Sequence, residues 1–302
     1  MNFKRVDDYI LRISAMTWHT PGYGLARSLL ALATLCTFVF NSTELLFYPT
    51  VDEVGGPVCT EALGINLFCL LKEHLGLARV LTIVILLVVI AGWKPRYTGI
   101  LHWWVCYSWV NSSLLVDGGD HVNAVLTLLL IPVTVTDHRR WHWSPVAETT
   151  SGSTGSRISP LVAFFSLKVI RIQVAAIYLH AAFAKCAVPE WQNGTALYYW
   201  FTDPTFGVTP WLEPLILPLI LHPFSVALLT WGTILFEFLL FAGLLAKKAY
   251  RPLMLFVGIG FHMMIALIHG LVTFGLSMSG ALLFYLGSPE KSIQKGYFRL
   301  RI

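Results

Sequence analysis

Arg171, Ala175, Tyr178, Ala182 and Lys185 recur at intervals of four and three residues, so one helix would carry them all on one face. Two cations, a phenol and small residues do not belong against lipid, and such a face should line a cavity or pack on another helix. Lys185 closes the stripe. An amine half-buried among apolar and aromatic groups loses the water that stabilises its charge, and in that state it can act as a base or nucleophile near neutral pH. Two further groups lie at depths comparable to Arg171 when residues are counted along their own apolar runs: Glu237 and His262. An Arg171–Glu237 pair with His262 beside it would either fix helix register as a buried ion pair or handle protons. Nearer the outer end, Asp117-Gly-Gly-Asp120-His121 offers Lys185 two carboxylates on a backbone that glycines let approach closely. If either aspartate holds the lysine, the amine is structural; if both face water, it is free to react.

The elements that must position these residues are membrane helices. The 302 residues are 56% hydrophobic and only 12% charged, against about a quarter charged in soluble domains. The apolar runs are continuous and do not alternate with period two, which excludes a β-barrel and predicts an all-α bundle. Eight spans are expected, over 23–46, 77–93, 97–115, 121–136, 161–184, 224–245, 252–270 and 272–287. Of the 21 Lys and Arg, all but Lys72, Arg79, Lys185 and the in-span Lys168 and Arg171 then fall at cytoplasmic ends, which places both termini inside. The first apolar run reads as a retained span and not as a cleavable signal. The net charge of +5 thus reports orientation and anionic lipid, with no nucleic-acid partner implied. The chain is expected to cross a membrane many times.

The exterior is acidic, with Glu53, Glu61, Asp117, Asp120, Glu190 and Asp203 among its residues, and would attract a cationic partner over about one Debye length of ~8–10 Å. Cys59 and Cys69 share the first exterior loop and form a disulfide if the compartment is oxidising. Residues 137–160, rich in Gly, Ser and Thr, read as a flexible cytoplasmic linker between two four-helix halves of a single membrane domain over 1–302. Between Pro189 and Pro223, repeated prolines forbid a long helix, while Trp191, Trp200 and Trp211 favour the interface. That stretch is expected to lie in the interface or to re-enter as a lid. No HExxH, P-loop, GxGxxG or nucleophile-elbow pattern occurs, and no metal site is expected from His180, His262 and His269. No internal repeat links the halves, which counts against a duplicated transporter.

Several of these residues, in order, resemble a known family. Gly24-Leu-Ala-Arg27-Ser-Leu-Leu, Asp117-Gly-Gly-Asp120, Ala182-Phe-Ala-Lys185 through Trp191-Gln-Asn-Gly194-Thr-Ala-Leu, and Phe261-His262 are similar to the bacterial HTTM proteins, relatives of vitamin K-dependent gamma-carboxylase. Within them the chain looks most like the sporulation-delaying protein B (SdpB) family. The carboxylase resemblance implies that Lys185 acts as a base on a membrane quinone, with His262 in the same cavity and the ring system among Trp103, Trp104, Trp109 and the Arg171–Lys185 stripe. The chain departs from it in having one lysine where the carboxylase has two. The SdpB resemblance implies instead a maturation role for a secreted antimicrobial peptide, made from an SdpC-type precursor with an SdpA-like partner. The candidate site residues are then Lys185 and His262 for chemistry, and Arg171, Tyr178, Asp117, Asp120, His121, Trp191 and Glu237 around them.

Overall fold

A computed structural model describes residues 3–47, 56–59, 64–144, 154–287 and 291–292. They form α1 (Phe3–Ser14), α2 (Pro21–Phe40), α3 (Thr43–Leu46), α4 (Leu67–Leu70), α5 (Leu75–Ala91), α6 (Pro95–Val110), α7 (Gly118–Val135), α8 (Thr154–Cys186), α9 (Pro189–Gln192), α10 (Ala196–Thr202), α11 (Glu213–Ile220), α12 (Pro223–Ala242), α13 (Arg251–His269) and α14 (Val272–Leu286). The short strands β1 (Met16–Thr17) and β2 (Lys291–Ser292) pair antiparallel. The chain is an all-α membrane protein. Six of the described helical stretches are long and apolar enough to cross a bilayer: Pro21–Phe40, Lys72–Ala91, Gly118–Val135, Ile158–Cys186, Pro223–Ala242 and Arg251–His269. Helices α6 and α14 stand where two more spans were expected, but at 16 and 15 residues they are shorter than the usual crossing length.

The fold divides into two compact units, and the division falls inside α8, between Ile170 and Arg171, not within 137–160. The first unit comprises Met1–Ile170 with Ser288–Ile302, and the second Arg171–Gly287.

In the first unit α2 packs on α5 and α6 packs on α7. Gly99 brings α6 and α7 together, since a Cβ there would overlap the Thr134 side chain. Close approach through small residues is how helices gain contact in lipid, where burial of apolar surface gives little. Around Trp109 the rings of Phe38, Phe47 and Phe68 meet at centroid distances of 5.0–6.4 Å. Each such pair contributes ~0.5–1.5 kcal/mol beyond area burial. Cys59 and Cys69 are disulfide-bonded, with Cα atoms 5.7 Å apart, and tie the segment at Cys59 to α4.

Of the expected linker over 137–160, residues 137–144 and 154–160 are described. Asp137 and Arg139 form a 2.7 Å salt bridge, and α8 begins at Thr154; residues 145–153 lie outside the described residues. His142 is buried with Arg27, whose relative exposure is 0%. Arg27 donates to Thr98 Oγ1 at 2.8 Å and approaches His142 Nδ1 at 3.3 Å. A guanidinium can only donate, so Nδ1 accepts and Nε2 carries the hydrogen. Nε2 then donates to Ser28 Oγ at 3.4 Å, and Ser28 donates to the Ile90 carbonyl. The ring needs two glycines beside it: Gly92, at φ +84° and with no room for a Cβ, and Gly24, where a Cβ would lie 3.0 Å from the imidazole. Burial, with the Arg27 and Arg139 charges, pushes the His142 pKa down to about 3.

In the second unit α13 and α14 pack along their lengths. Gly275 sits against Met263 and Ala266 on α13, again with no space for a side chain. The three short helices α9, α10 and α11 fill the proline-rich stretch between α8 and α12 and contact α12.

Candidate functional site

The second unit holds the chemistry-bearing stripe. On α8 the helical repeat does place Arg171, Tyr178 and Lys185 along one face, but each finds a different partner. Lys185 Nζ donates to both oxygens of Glu237 on α12, at 2.7 and 2.9 Å. Its side chain is 23% exposed and that of Glu237 10%. The ammonium also stands 5.3 Å from the centre of the Trp191 ring. A bidentate carboxylate and an aromatic face are the two surroundings that favour a charged amine.

One turn-pair back along α8, Tyr178 Oη lies 2.9 Å from His262 Nε2 on α13. The imidazole is 4% exposed and is ringed by Phe261 and Phe274. Its Nδ1 is buried and meets no hydrogen-bond partner. Both tautomers leave that nitrogen unsatisfied: if Tyr178 donates to Nε2, Nδ1 carries an undelivered hydrogen, and otherwise it is an acceptor with no donor. Leaving such a group unpaired costs about 1–3 kcal/mol.

The anticipated Arg171–Glu237 pair does not form. Arg171 Nη2 donates at 2.9 Å to the carbonyl of Gly287, the residue that caps α14. There the cation meets the negative end of the α14 dipole. The expected levels failed because α8 is 33 residues long, about 50 Å at helical rise, and begins before the apolar run does. Counting residues from a helix end gives depth only when the helices start together.

Asp117 and Asp120, offered as partners for Lys185, cap α7. Asp117 accepts from the Asp120 amide at 2.9 Å, and Asp120 accepts from the Asp117 amide at 3.1 Å. Together they form a reciprocal capping box that satisfies amides left open by the helix start. His121 follows, exposed, with its amide on the Asp117 carbonyl. The carboxylate on Lys185 is that of Glu237. The tryptophans named for a quinone each pack within the first unit. Trp109 is 1% exposed inside its cluster of phenylalanine rings, Trp104 donates to the Ile65 carbonyl, and Trp103 packs on Tyr107.

The region following Lys185 is fixed locally. Gly194 turns the chain between α9 and α10 at φ +82°, a conformation that favours glycine, and a Cβ there would lie 3.1–3.2 Å from Ala227 and Trp231. Trp231 donates to the Gln192 carbonyl, and Thr230 accepts from the Leu197 amide, so both short helices are pinned to α12. Farther on, Asp203 accepts from the amides of Thr205 and Phe206, which hold its carboxyl below the usual range. A cavity of about 260 Å³ opens between α9 and α10, lined by Val188, Glu190, Trp191, Ala196, Tyr199 and Trp200. Trp191 is therefore both the platform for Lys185 and part of the cavity wall. The Arg27–His142 network and this cavity were absent from the sequence-based expectations. Trp141 and Trp143, flanking His142 in a stretch read as linker, were the available signal for the first.

The HTTM domain family matches residues 55–287. The Uncharacterized protein YitO of Bacillus subtilis (strain 168) is 40% identical over 284 residues, covering 93% of this chain and 89% of that protein. The Sporulation-delaying protein SdpB of the same strain is 38% identical over 274 residues, covering 90% of this chain and 82% of its own length. No solved structure matches the chain.

Proposed function

The chain belongs to the HTTM family, and from that premise we propose that it is a multi-pass maturation factor for a secreted antimicrobial peptide. In this reading it acts with an SdpA-like partner on an SdpC-type precursor at the bacterial plasma membrane. Its likeness to SdpB, which extends over 90% of the chain, supports the pathway. The observation that carries the chemical part is the clamped Lys185–Glu237 pair, with the Tyr178–His262 dyad on the same helix face. Lys185 supplies a fixed positive charge, and His262 a buried nitrogen able to take or give a proton. Arg171 positions the end of α14, and Trp191 holds the amine in place. Asp117, Asp120 and His121 shape the start of α7.

All eight helices of 15 or more described residues cross the membrane in this proposal, with both termini inside. The positive-inside distribution supports that orientation, which sets α9–α11 on the outer face. The test is co-purification. Affinity-tagged protein should retain the precursor and the SdpA-like partner, and a variant with 189–223 replaced by a flexible linker should release them. Undiminished retention by that variant, at equal membrane levels, would remove the outer segment from the docking role.

A further inference from the structure

The cavity beyond Lys185 has a composition that selects for charge. Its floor is Trp191 and Ala196, both buried, and its walls are the exposed rings of Tyr199 and Trp200. Glu190 stands at the rim with its carboxylate exposed and without a hydrogen-bond or ion-pair partner among the described residues. Among the described residues no basic side chain lines the space. Three aromatic rings with one open carboxylate attract a cation through the ring quadrupoles and through charge. The walls are also held in advance, because α9 and α10 are pinned to α12 on either side of Gly194. Pre-organisation of that kind raises affinity by reducing the ordering required on binding.

We propose that this cavity is a recognition subsite for one basic side chain of the peptide substrate. The size agrees, since about 260 Å³ lies below the ~300–1,000 Å³ of drug-sized ligand sites and suits a single side chain. A lipid amine is the competing occupant, because aromatic residues gather at headgroup level. A phospholipid ammonium, however, arrives with its phosphate attached; among the described residues the lining includes no cation, and the ammonium of Lys185 on the Trp191 ring is already held by Glu237. A lysine or arginine side chain brings no anion with it. Occupancy would set the peptide against Trp191, whose ring contacts Lys185, so binding and the proposed chemistry would share one side chain. The peptide assignment rests on the maturation reading; the preference for a cation rests on the cavity alone.

The test uses full-length protein in an uncharged maltoside detergent and two synthetic peptides, acetyl-Ala-Lys-Ala-amide and its norleucine counterpart. Titration calorimetry should show the lysine peptide binding roughly tenfold more tightly. That preference should fall towards unity in Glu190→Gln and in Trp200→Leu, both at exposed positions, with unfolding midpoints unchanged. Equal affinity for the two peptides, or a lysine preference that survives both substitutions, overturns the proposal. One-for-one displacement of the lysine peptide by phosphatidylethanolamine assigns the site to lipid and overturns it too. No toxin enters this assay, so failure of the maturation reading would show separately, in the peptide that cells secrete.

Discussion

Replacing Lys185 and Glu237 singly and together separates a reactive amine from a structural one. Lys185→Met leaves the Glu237 carboxylate, 10% exposed, without its cation. Breaking a buried pair by removing one partner costs ~3–5 kcal/mol, and the 23% exposure of the lysine side chain lowers that to about 2–4 kcal/mol here. Glu237→Gln should destabilise by a similar amount, through the stranded ammonium. In the double variant both charges are gone, the methionine keeps most of the lysine's length, and stability should return to within about 1 kcal/mol of the native protein. Unfolding midpoints in detergent read the stability, and mass spectrometry of the culture medium reads mature peptide. Both single variants should unfold early and yield little peptide. The double variant should unfold like the native protein and still yield none, because the amine is absent. Restored peptide in the double variant would show that Lys185 only braces α8 against α12. A double variant as unstable as either single one would refute the energetics of the pair.

Three further outcomes follow from the geometry. Tyr178→Phe removes the partner of His262 Nε2 and should lower stability by about 1–3 kcal/mol, with loss of peptide in the same medium assay; unchanged stability would mean the dyad is not formed. His142, with its pKa down from 6.5 to about 3, is held neutral in the fold. Its contribution is therefore complete above pH 6.5 and is lost as pH falls towards 3, where the unfolded chain takes up a proton that the folded chain refuses. Unfolding midpoints should drop between pH 6.5 and 4, more shallowly in His142→Gln, and equal slopes would contradict the assignment. Reduction of Cys59–Cys69, which closes a separation of 10 residues, should cost ~2–3 kcal/mol, read as a lower midpoint under reducing agent and in Cys59→Ser.

What the residues revealed in advance follows from the range of the forces involved. Helix positions come from local apolar runs, so the expected 121–136 and 252–270 stand close to Gly118–Val135 and Arg251–His269. The Cys59–Cys69 bridge needed only two cysteines in one loop. The partner of Lys185 was not legible, because it depends on which helices are neighbours and on a long α8 that upsets any count of depth. Asp117 and Asp120 could have been read correctly: an aspartate followed three residues later by another, at the head of an apolar run, is a capping pattern before it is a binding site. His142 was hidden by a polar stretch whose first residues fold back on α2, α5 and α6.

The central claim is maturation of an exported peptide, and the mass of that peptide tests it most directly. Medium and membranes from producing cells with and without this chain should be compared by intact-mass spectrometry, with the precursor and the SdpA-like protein expressed equally in both. Cells lacking the chain should release no mature peptide and retain the precursor, and the native chain should restore the mature mass. Mature peptide of identical mass and amount in its absence would contradict that claim.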